Sequence, residues 1–203
     1  MQVTGIDGSA DYVEINRKSL NDSRAVLEQG DAQSLPYSDN DFDKCVSLLV
    51  MNFIPDAKLA LKEMQRVTRA GGTIAAAVWD YGGGMEMLRH LWDEAVSIDD
   101  NAAAKHEGNM PLCRQGELES LWEECGLTEV SGTPLTIQME FGSFGDYWAP
   151  FLTGVGPSGS YVSGLDDKIQ AELKSRLQEK LANGKSDLAF NLNARAWAVR
   201  GSV

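Results

Sequence analysis

Residues 30–50, GDAQSLPYSDNDFDKCVSLLV, decide the fold of this 203-residue chain. Asp31 follows a short strand beginning at Ala25, and a polar loop with Pro36 leads into an apolar run, Lys44–Val50. Because the apolar positions of that run are nearly continuous, we expect a buried parallel strand. Open α/β sheets bind ligands at the carboxyl ends of such strands. The segment therefore predicts one edge of a nucleotide pocket.

The chain before this segment predicts a second strand with an acid at its end. Val3–Asp7 has strand character, and Ser9 is placed to cap a helix that extends to about Ser23. A carboxylate at this position can accept hydrogen bonds from both hydroxyls of a ribose. The alternative is that Asp7 only caps the turn that follows the strand.

Downstream, the hydrophobic periodicity predicts alternating helices and strands. One predicted helix begins at Asp56. Three others cover Met85–Val96, Gln115–Cys125 and Asp166–Leu181. The predicted strands are Thr73–Trp79, Leu127–Thr136 and Ala194–Arg200. The aromatic segment Phe141–Tyr161 is compatible with a substrate pocket and equally with a satellite core. The polar segment Ser97–Pro111 is expected to be a lid or a connection.

Composition and charge exclude several classes of protein. The formal net charge of −12 argues against a nucleic-acid or anionic membrane surface, because such surfaces need clustered Lys and Arg. The three cysteines are widely spaced and predict neither a disulfide framework nor a zinc site. No run is long enough to span a bilayer, and the first residues lack a secretory signal. We therefore expect a cytoplasmic protein.

Three motifs together resemble a known family. Gly30-Asp31-Ala32 with Leu35-Pro36, Val3–Ser9 and Arg69–Thr73 are similar, in order and spacing, to class I S-adenosylmethionine-dependent methyltransferases of the type 11 group. The resemblance implies an α/β fold with a Rossmann-like, mostly parallel sheet and a C-terminal antiparallel pair. It also implies an N-terminally truncated fold, since the family's first strand and glycine-rich loop would precede Val3.

The resemblance implies a single domain over residues 1–203 and a set of binding residues. Residues 1–80 would be the cofactor-binding half, and residues 81–203 would supply the lid, the substrate side and the C-terminal strands. The cofactor-binding residues would be Asp7, Gly8, Asp31, Ala32, Ser47 and Leu48. The substrate-binding residues would be Met51, Asn52, Trp79, Tyr81 and Trp148. No catalytic residue is assigned and no metal site is expected.

The implied function is methyl transfer from S-adenosylmethionine to a small-molecule acceptor, without nucleic-acid or membrane partners. Because the sulfonium makes its methyl carbon electrophilic, alignment of the acceptor is the main task of the protein. One alternative is a cofactor-deficient remnant that acts as a structural or interaction domain, and a homo-oligomer is compatible with either. A nicotinamide-dependent oxidoreductase is a further alternative, since that class also uses an acid after the second strand.

Overall fold

The computed structural model describes residues 2–203, which form six strands and eight α-helices. The strands are β1 (Val3–Asp7), β2 (Ala25–Gln29), β3 (Phe42–Leu48), β4 (Thr68–Trp79), β5 (Thr128–Phe141) and β6 (Phe190–Ser202). The helices are α1 (Ala10–Ser19), α2 (Ala57–Val67), α3 (Glu86–Ile98), α4 (Ala102–Lys105), α5 (Glu117–Glu124), α6 (Phe144–Trp148), α7 (Gly156–Ser163) and α8 (Asp167–Ala182).

The chain divides into two compact units. The first comprises Met1–Ala77, Leu118–Gly132 and Val199–Val203, and the second comprises Val78–Glu117 and Thr133–Ala198. The expected single domain with halves meeting at residue 80 stays a prediction.

In the first unit, β1 and β2 form a parallel two-stranded sheet. The register pairs Val3 with Ala25 and continues to the ends of both strands. The hydroxyl of Ser9 accepts the backbone N–H of Tyr12 at 3.3 Å and caps α1 as predicted. The helix ends at Ser19, one turn before the predicted end, and a short turn leads into β2.

The second sheet has the strand order β3-β4-β6-β5, and β3 runs parallel to β4. The register shifts between the pairs Phe42–Thr68 and Lys44–Thr73, so extra residues of β4 form a bulge there. Gly71 occupies the bulge with φ of +73°, a conformation that favours glycine. The motif Arg69–Thr73 is therefore an irregularity inside a longer strand.

The parallel strand expected over Lys44–Val50 is present as β3, but the expectation that it is buried is wrong. Val46 and Leu48 are 74% and 75% exposed. Within residues 2–203, β3 has a hydrogen-bonded neighbour on one side only, β4, and the pair β1-β2 forms a separate sheet. An apolar run indicates burial only where both faces of the strand are covered, and the face of β3 that carries Val46 and Leu48 is open.

The second unit contains an aromatic core, and the segment Phe141–Tyr161 belongs to it. Phe141 and Tyr147 meet edge-to-face with centroids 5.6 Å apart, and Phe144 stacks on Trp148 at 6.3 Å. These rings pack with apolar residues of α3 and α8. Of the two interpretations left open by the sequence, the structure supports the core.

Strand β5 ends later than predicted, and β6 begins earlier and ends later than predicted.

Strand β6 is hydrogen-bonded to the chain at both ends of β4. In the first unit the N–H of Gly71 donates to the carbonyl of Val203, and in the second the N–H of Asp80 donates to the carbonyl of Arg195. Residue numbers rise along β4 as they fall along β6, so β6 runs antiparallel to β4. The expected mostly parallel α/β sheet with antiparallel strands at its C-terminal end is confirmed.

Candidate functional site

A cavity of about 690 Å³ opens in the first unit at the carboxyl ends of β1, β2 and β3. This volume lies within the range of about 300–1,000 Å³ that is typical of small-molecule sites. The edge of the sheet is also where open α/β sheets hold their ligands. The lining residues are Ile6, Asp7, Gly8, Gln29, Gly30, Asp31, Ala32, Gln33, Leu35, Cys45, Val46, Ser47, Leu48, Val50, Met51, Phe53, Ile54, Pro55 and Met64.

The first wall of the cavity follows β1. Asp7 Oδ1 accepts the backbone N–H of Ser9 at 2.7 Å, so the carboxylate is held at the start of α1. The carbonyl of Gly8 accepts the side-chain amide of Gln29 at 3.2 Å, which links the ends of β1 and β2. One oxygen of Asp7 has no hydrogen bond within residues 2–203, so capping the turn leaves an acceptor for a ligand.

The second wall follows β2 and contains Asp31 and Ala32. The carboxylate of Asp31 accepts the backbone N–H of Gln33 at 2.8 Å and its side-chain amide at 3.1 and 3.2 Å. These hydrogen bonds, the backbone one first, lower the pKa of Asp31 below its usual range. Asp31 is therefore ionised at neutral pH and fixed at the rim.

The third wall follows β3 and the 3-10 turn Met51–Phe53. The side chain of Met51 is 1% exposed and forms an apolar floor. The hydroxyl of Ser47 is buried and has no hydrogen-bond partner within residues 2–203. A buried hydroxyl without a partner costs free energy, so Ser47 is a candidate to bind a polar group of a ligand.

The electrostatic character of the cavity is acidic. Asp7 and Asp31 are its two charged lining residues, and no Lys, Arg or His of the described residues 2–203 lines it. Such a cavity favours a ligand that carries hydroxyl or amino donors and a positive charge. Across residues 2–203 no cluster of three or more His, Cys, Asp or Glu side chains is arranged to hold a metal ion.

An ion pair on α2 supports the loop between β2 and β3, and the sequence reasoning missed it. Arg66 donates to both oxygens of Glu63 at 2.8 Å and to the carbonyls of Leu35 at 2.9 Å and Tyr37 at 2.7 Å. Glu63 also accepts the N–H of Leu35 at 2.9 Å. The spacing Glu-x-x-Arg on one helix face was the available signal. Its partners lie about thirty residues earlier, so their identity was not local information.

The structure places the predicted substrate residues in different surroundings. Met51 lines the cavity, whereas Asn52 is 6% exposed and does not line it. Trp79 ends β4 and belongs to the second unit, as do the buried residues Tyr81 and Trp148. Trp148 packs against Phe144 and Phe151 in the aromatic core. The six predicted cofactor residues all line the one cavity.

The buried acid of the second unit was also missed. Glu107 is 3% exposed, and its carboxylate accepts the indole N–H of Trp92 at 2.8 Å. Burial raises the pKa of Glu107, and hydrogen bonds with Trp92 and Ser158 oppose that effect. Nothing in the polar segment around this residue distinguishes it from a solvated acid.

Comparison with known proteins gives a sequence match over the first unit's N-terminal part. A protein family described as methyltransferase domain matches residues 1–76. Demethylmenaquinone methyltransferase from Staphylococcus aureus (strain JH9) is 39% identical over 74 residues, which are 36% of this chain and 31% of that protein. The matched segment thus spans about a third of the relative's length.

Solved structures match the whole fold. One solved structure is that of a Bacillus halodurans C-125 protein described as a methyltransferase. Its TM-score is 0.61 at 13% identity, over 100% of this chain and 83% of that one. Phosphoethanolamine N-methyltransferase 2 from Haemonchus contortus, in complex with S-adenosyl-L-methionine, has a TM-score of 0.54 at 17% identity, over 99% of this chain and 43% of that one. Residues 1–76 thus match the methyltransferase domain family, and the chain has the Rossmann-like fold of the class I S-adenosylmethionine-dependent methyltransferases.

Proposed function

We propose that this protein binds S-adenosylmethionine in the cavity of the first unit and transfers its methyl group to a small-molecule acceptor. The observation that carries the proposal is the convergence of six residues from three strand ends on one cavity. The family match over residues 1–76 supports it, as does the structural neighbour solved with S-adenosyl-L-methionine.

The residues of the cavity fit this cofactor chemically. The free oxygen of Asp7 would accept hydrogen bonds from the ribose hydroxyls, and Asp31 would accept one from the adenine amino group. The backbone N–H of Ala32 would donate a hydrogen bond to a ring nitrogen of the adenine. Ser47 and Leu48 would lie near the methionine part, where the Ser47 hydroxyl could gain the partner that it lacks.

When bound, the sulfonium cofactor supplies an electrophilic methyl carbon, so the protein's own residues serve mainly to orient and to exclude water. The acidic lining favours the positive charge of the cofactor. The Staphylococcus relative is named for a small-molecule substrate, demethylmenaquinone, which supports a small-molecule acceptor. Met51 remains a candidate wall of the acceptor site, and Asn52, Trp79, Tyr81 and Trp148 remain predicted contacts.

Calorimetric titration of the purified protein with S-adenosylmethionine and S-adenosylhomocysteine tests the proposal. We expect saturable binding that weakens at least tenfold in Asp31→Ala, since the carboxylate supplies a charge-assisted hydrogen bond. Asp146→Ala is the matched control, because Asp146 is an exposed acid of the second unit. NAD⁺ and NADH are titrated in parallel.

The outcomes separate the alternatives. Binding of the adenosyl cofactors, followed by transfer of a labelled methyl group to an acceptor in a small-molecule screen, would support the methyltransferase. Selective binding of NAD⁺ or NADH would favour the oxidoreductase. A folded protein that binds none of these ligands would exclude the proposed function and favour a structural or interaction domain.

A further inference from the structure

Gln33 connects two walls of the cavity through a single side chain. Its Nε2 donates to Asp31 Oδ1 at 3.1 Å and to Oδ2 at 3.2 Å, and its backbone N–H donates to Oδ1 at 2.8 Å. Its Oε1 accepts the backbone N–H of Asp56 at 3.0 Å. Asp56 caps α2 by accepting the N–H of Leu59, and the cavity-lining residues Phe53–Pro55 immediately precede it.

We propose that Gln33 is a positioning residue, which orients the Asp31 carboxylate toward the ligand and anchors the start of α2 beside the opposite wall. It acts through Asp31 and Asp56 and needs no contact with the ligand. This inference rests on the proposed function, because it assigns the oriented carboxylate to the adenine end of the cofactor.

The number of acceptor positions supports this assignment. A carboxylate offers about four acceptor positions, two on each oxygen. Gln33 uses both positions on Oδ1 and one on Oδ2, so one position on Oδ2 stays free for a ligand amino group. Without the Gln33 side chain, the carboxylate of Asp31 would keep only the backbone N–H of residue 33, and because Asp31 is exposed its oxygens would be held less firmly.

The chemistry of the amide is required for both contacts. An amide donates through nitrogen and accepts through oxygen, so glutamine can serve Asp31 and Asp56 at once. A glutamate of nearly the same shape would still accept from Asp56 but would place a second negative charge against Asp31. Gln33→Glu therefore changes the contact with Asp31 and retains the contact with α2.

The test compares Gln33→Glu and Gln33→Ala with the wild type. Gln115→Ala is the control, because Gln115 is an exposed glutamine of the second unit. The pKa of the Asp31 carboxyl is measured by NMR without ligand, and the Kd of S-adenosylhomocysteine is measured by calorimetry from pH 5 to 8. Circular dichroism verifies that each variant is folded.

We expect Gln33→Glu to raise the pKa of Asp31 and to weaken binding about tenfold at pH 7. The difference in Kd between Gln33→Glu and the wild type should shrink toward pH 5, where the two carboxyls can share a proton and restore a donor. Gln33→Ala should weaken binding by a smaller factor and also raise the pKa of Asp31. A merely structural role would weaken binding equally at every pH and would leave the Asp31 pKa unchanged in Gln33→Ala, which adds no charge.

The two proposals fail in distinguishable ways. An Asp31 pKa and a Kd that match the wild type in both Gln33 variants would overturn the positioning role, whatever the wild type binds. A wild type that does not bind S-adenosylhomocysteine, together with a raised Asp31 pKa in the variants, would overturn the proposed cofactor and support the positioning of Asp31. If Gln33→Ala does not fold, the pH dependence of S-adenosylhomocysteine binding to Gln33→Glu decides, since that variant preserves the size of the side chain.

Discussion

At Gly72, a residue of β4, the backbone lies against that of Asp43 in β3. A Cβ atom at this position would be 2.5 Å from Cγ2 of Thr68 and 2.8 Å from the carbonyl oxygens of Arg69 and Asp43. Backbone oxygens cannot move aside as a flexible side chain can. The glycine between β3 and β4 is therefore required for close approach rather than for a turn conformation.

We expect Gly72→Ala to lower the free energy of unfolding by about 1–3 kcal/mol, because it forces backbone displacement in a packed sheet. The measurement is urea unfolding followed by circular dichroism. Gly83→Ala is the control, since no atom lies within 4 Å of its added Cβ, and it should change the value by about 0.5 kcal/mol or less. Equal effects of the two substitutions would show that the contact at Gly72 relaxes freely.

The buried carboxyl of Glu107 makes the stability of the folded protein depend on pH. Burial raises its pKa above the ordinary value of 4.5, so the folded state keeps the proton to higher pH than the unfolded state does. The contribution of Glu107 to stability is therefore complete below pH 4.5 and is lost as the pH rises through the folded-state pKa.

Glu107→Gln should remove this loss, because the amide cannot ionise and its oxygen can still accept from Trp92. The thermal stability of the variant relative to the wild type should rise between about pH 4.5 and 7. Glu123→Gln, at an exposed position on α5, should differ from the wild type in thermal stability by the same amount at every pH. A parallel pH profile for all three proteins would show that Glu107 is not the source.

At the scale of elements, α2 holds the loop that carries the candidate adenine site. Arg66→Met removes the donors to the carbonyls of Leu35 and Tyr37 while keeping much of the side-chain bulk. We expect amide hydrogen exchange in residues 35–40 to accelerate at least tenfold and S-adenosylhomocysteine to bind more weakly. Mass spectrometry of the exchanged peptides measures the first effect.

Arg69→Met is the matched control for this prediction. Arg69 makes an exposed ion pair with Asp43, so its removal should alter neither exchange in the loop nor ligand binding. If the two variants exchange alike over residues 35–40, the loop is held by its own turn geometry and not by α2.

The elements that the sequence predicted correctly depend on local signals. Ser9 and Asp56 cap α1 and α2 through N–H groups only three residues ahead, so a short window contains the whole interaction. Asp7 at the end of β1 and Asp31 after β2 both line the cavity, because strand polarity brings the carboxyl ends of parallel strands to one edge.

The features that were missed depend on which segments become neighbours. Val46 has the apolar character of a covered strand, yet its exposure depends on which segments pack over its face of β3, which the sequence does not state. The link from Arg66 to Leu35 and the bulge at Gly71 also require the register between distant segments. Periodicity reports the character of a face and not the identity of what covers it.

At the scale of the whole molecule, the chain is acidic but has apolar side chains on an open strand edge. Val46 is 74% exposed on β3, and one edge of β3 has no strand neighbour within residues 2–203. Among residues 2–203, no helix is long and apolar enough to cross a membrane. Open apolar edges favour pairing between protein chains, whereas a net charge of −12 opposes it.

We expect this protein to self-associate at high concentration, and more strongly when salt screens its charge. Val46→Lys should weaken the association about tenfold, because a charged side chain on an edge strand disfavours pairing. Val155→Lys is the matched control, since Val155 is 64% exposed, lies outside every strand and gains the same charge. Sedimentation velocity over a concentration series measures each constant. Equal weakening by both substitutions would attribute the association to net charge, whereas a selective effect of Val46→Lys would locate it at the edge of β3.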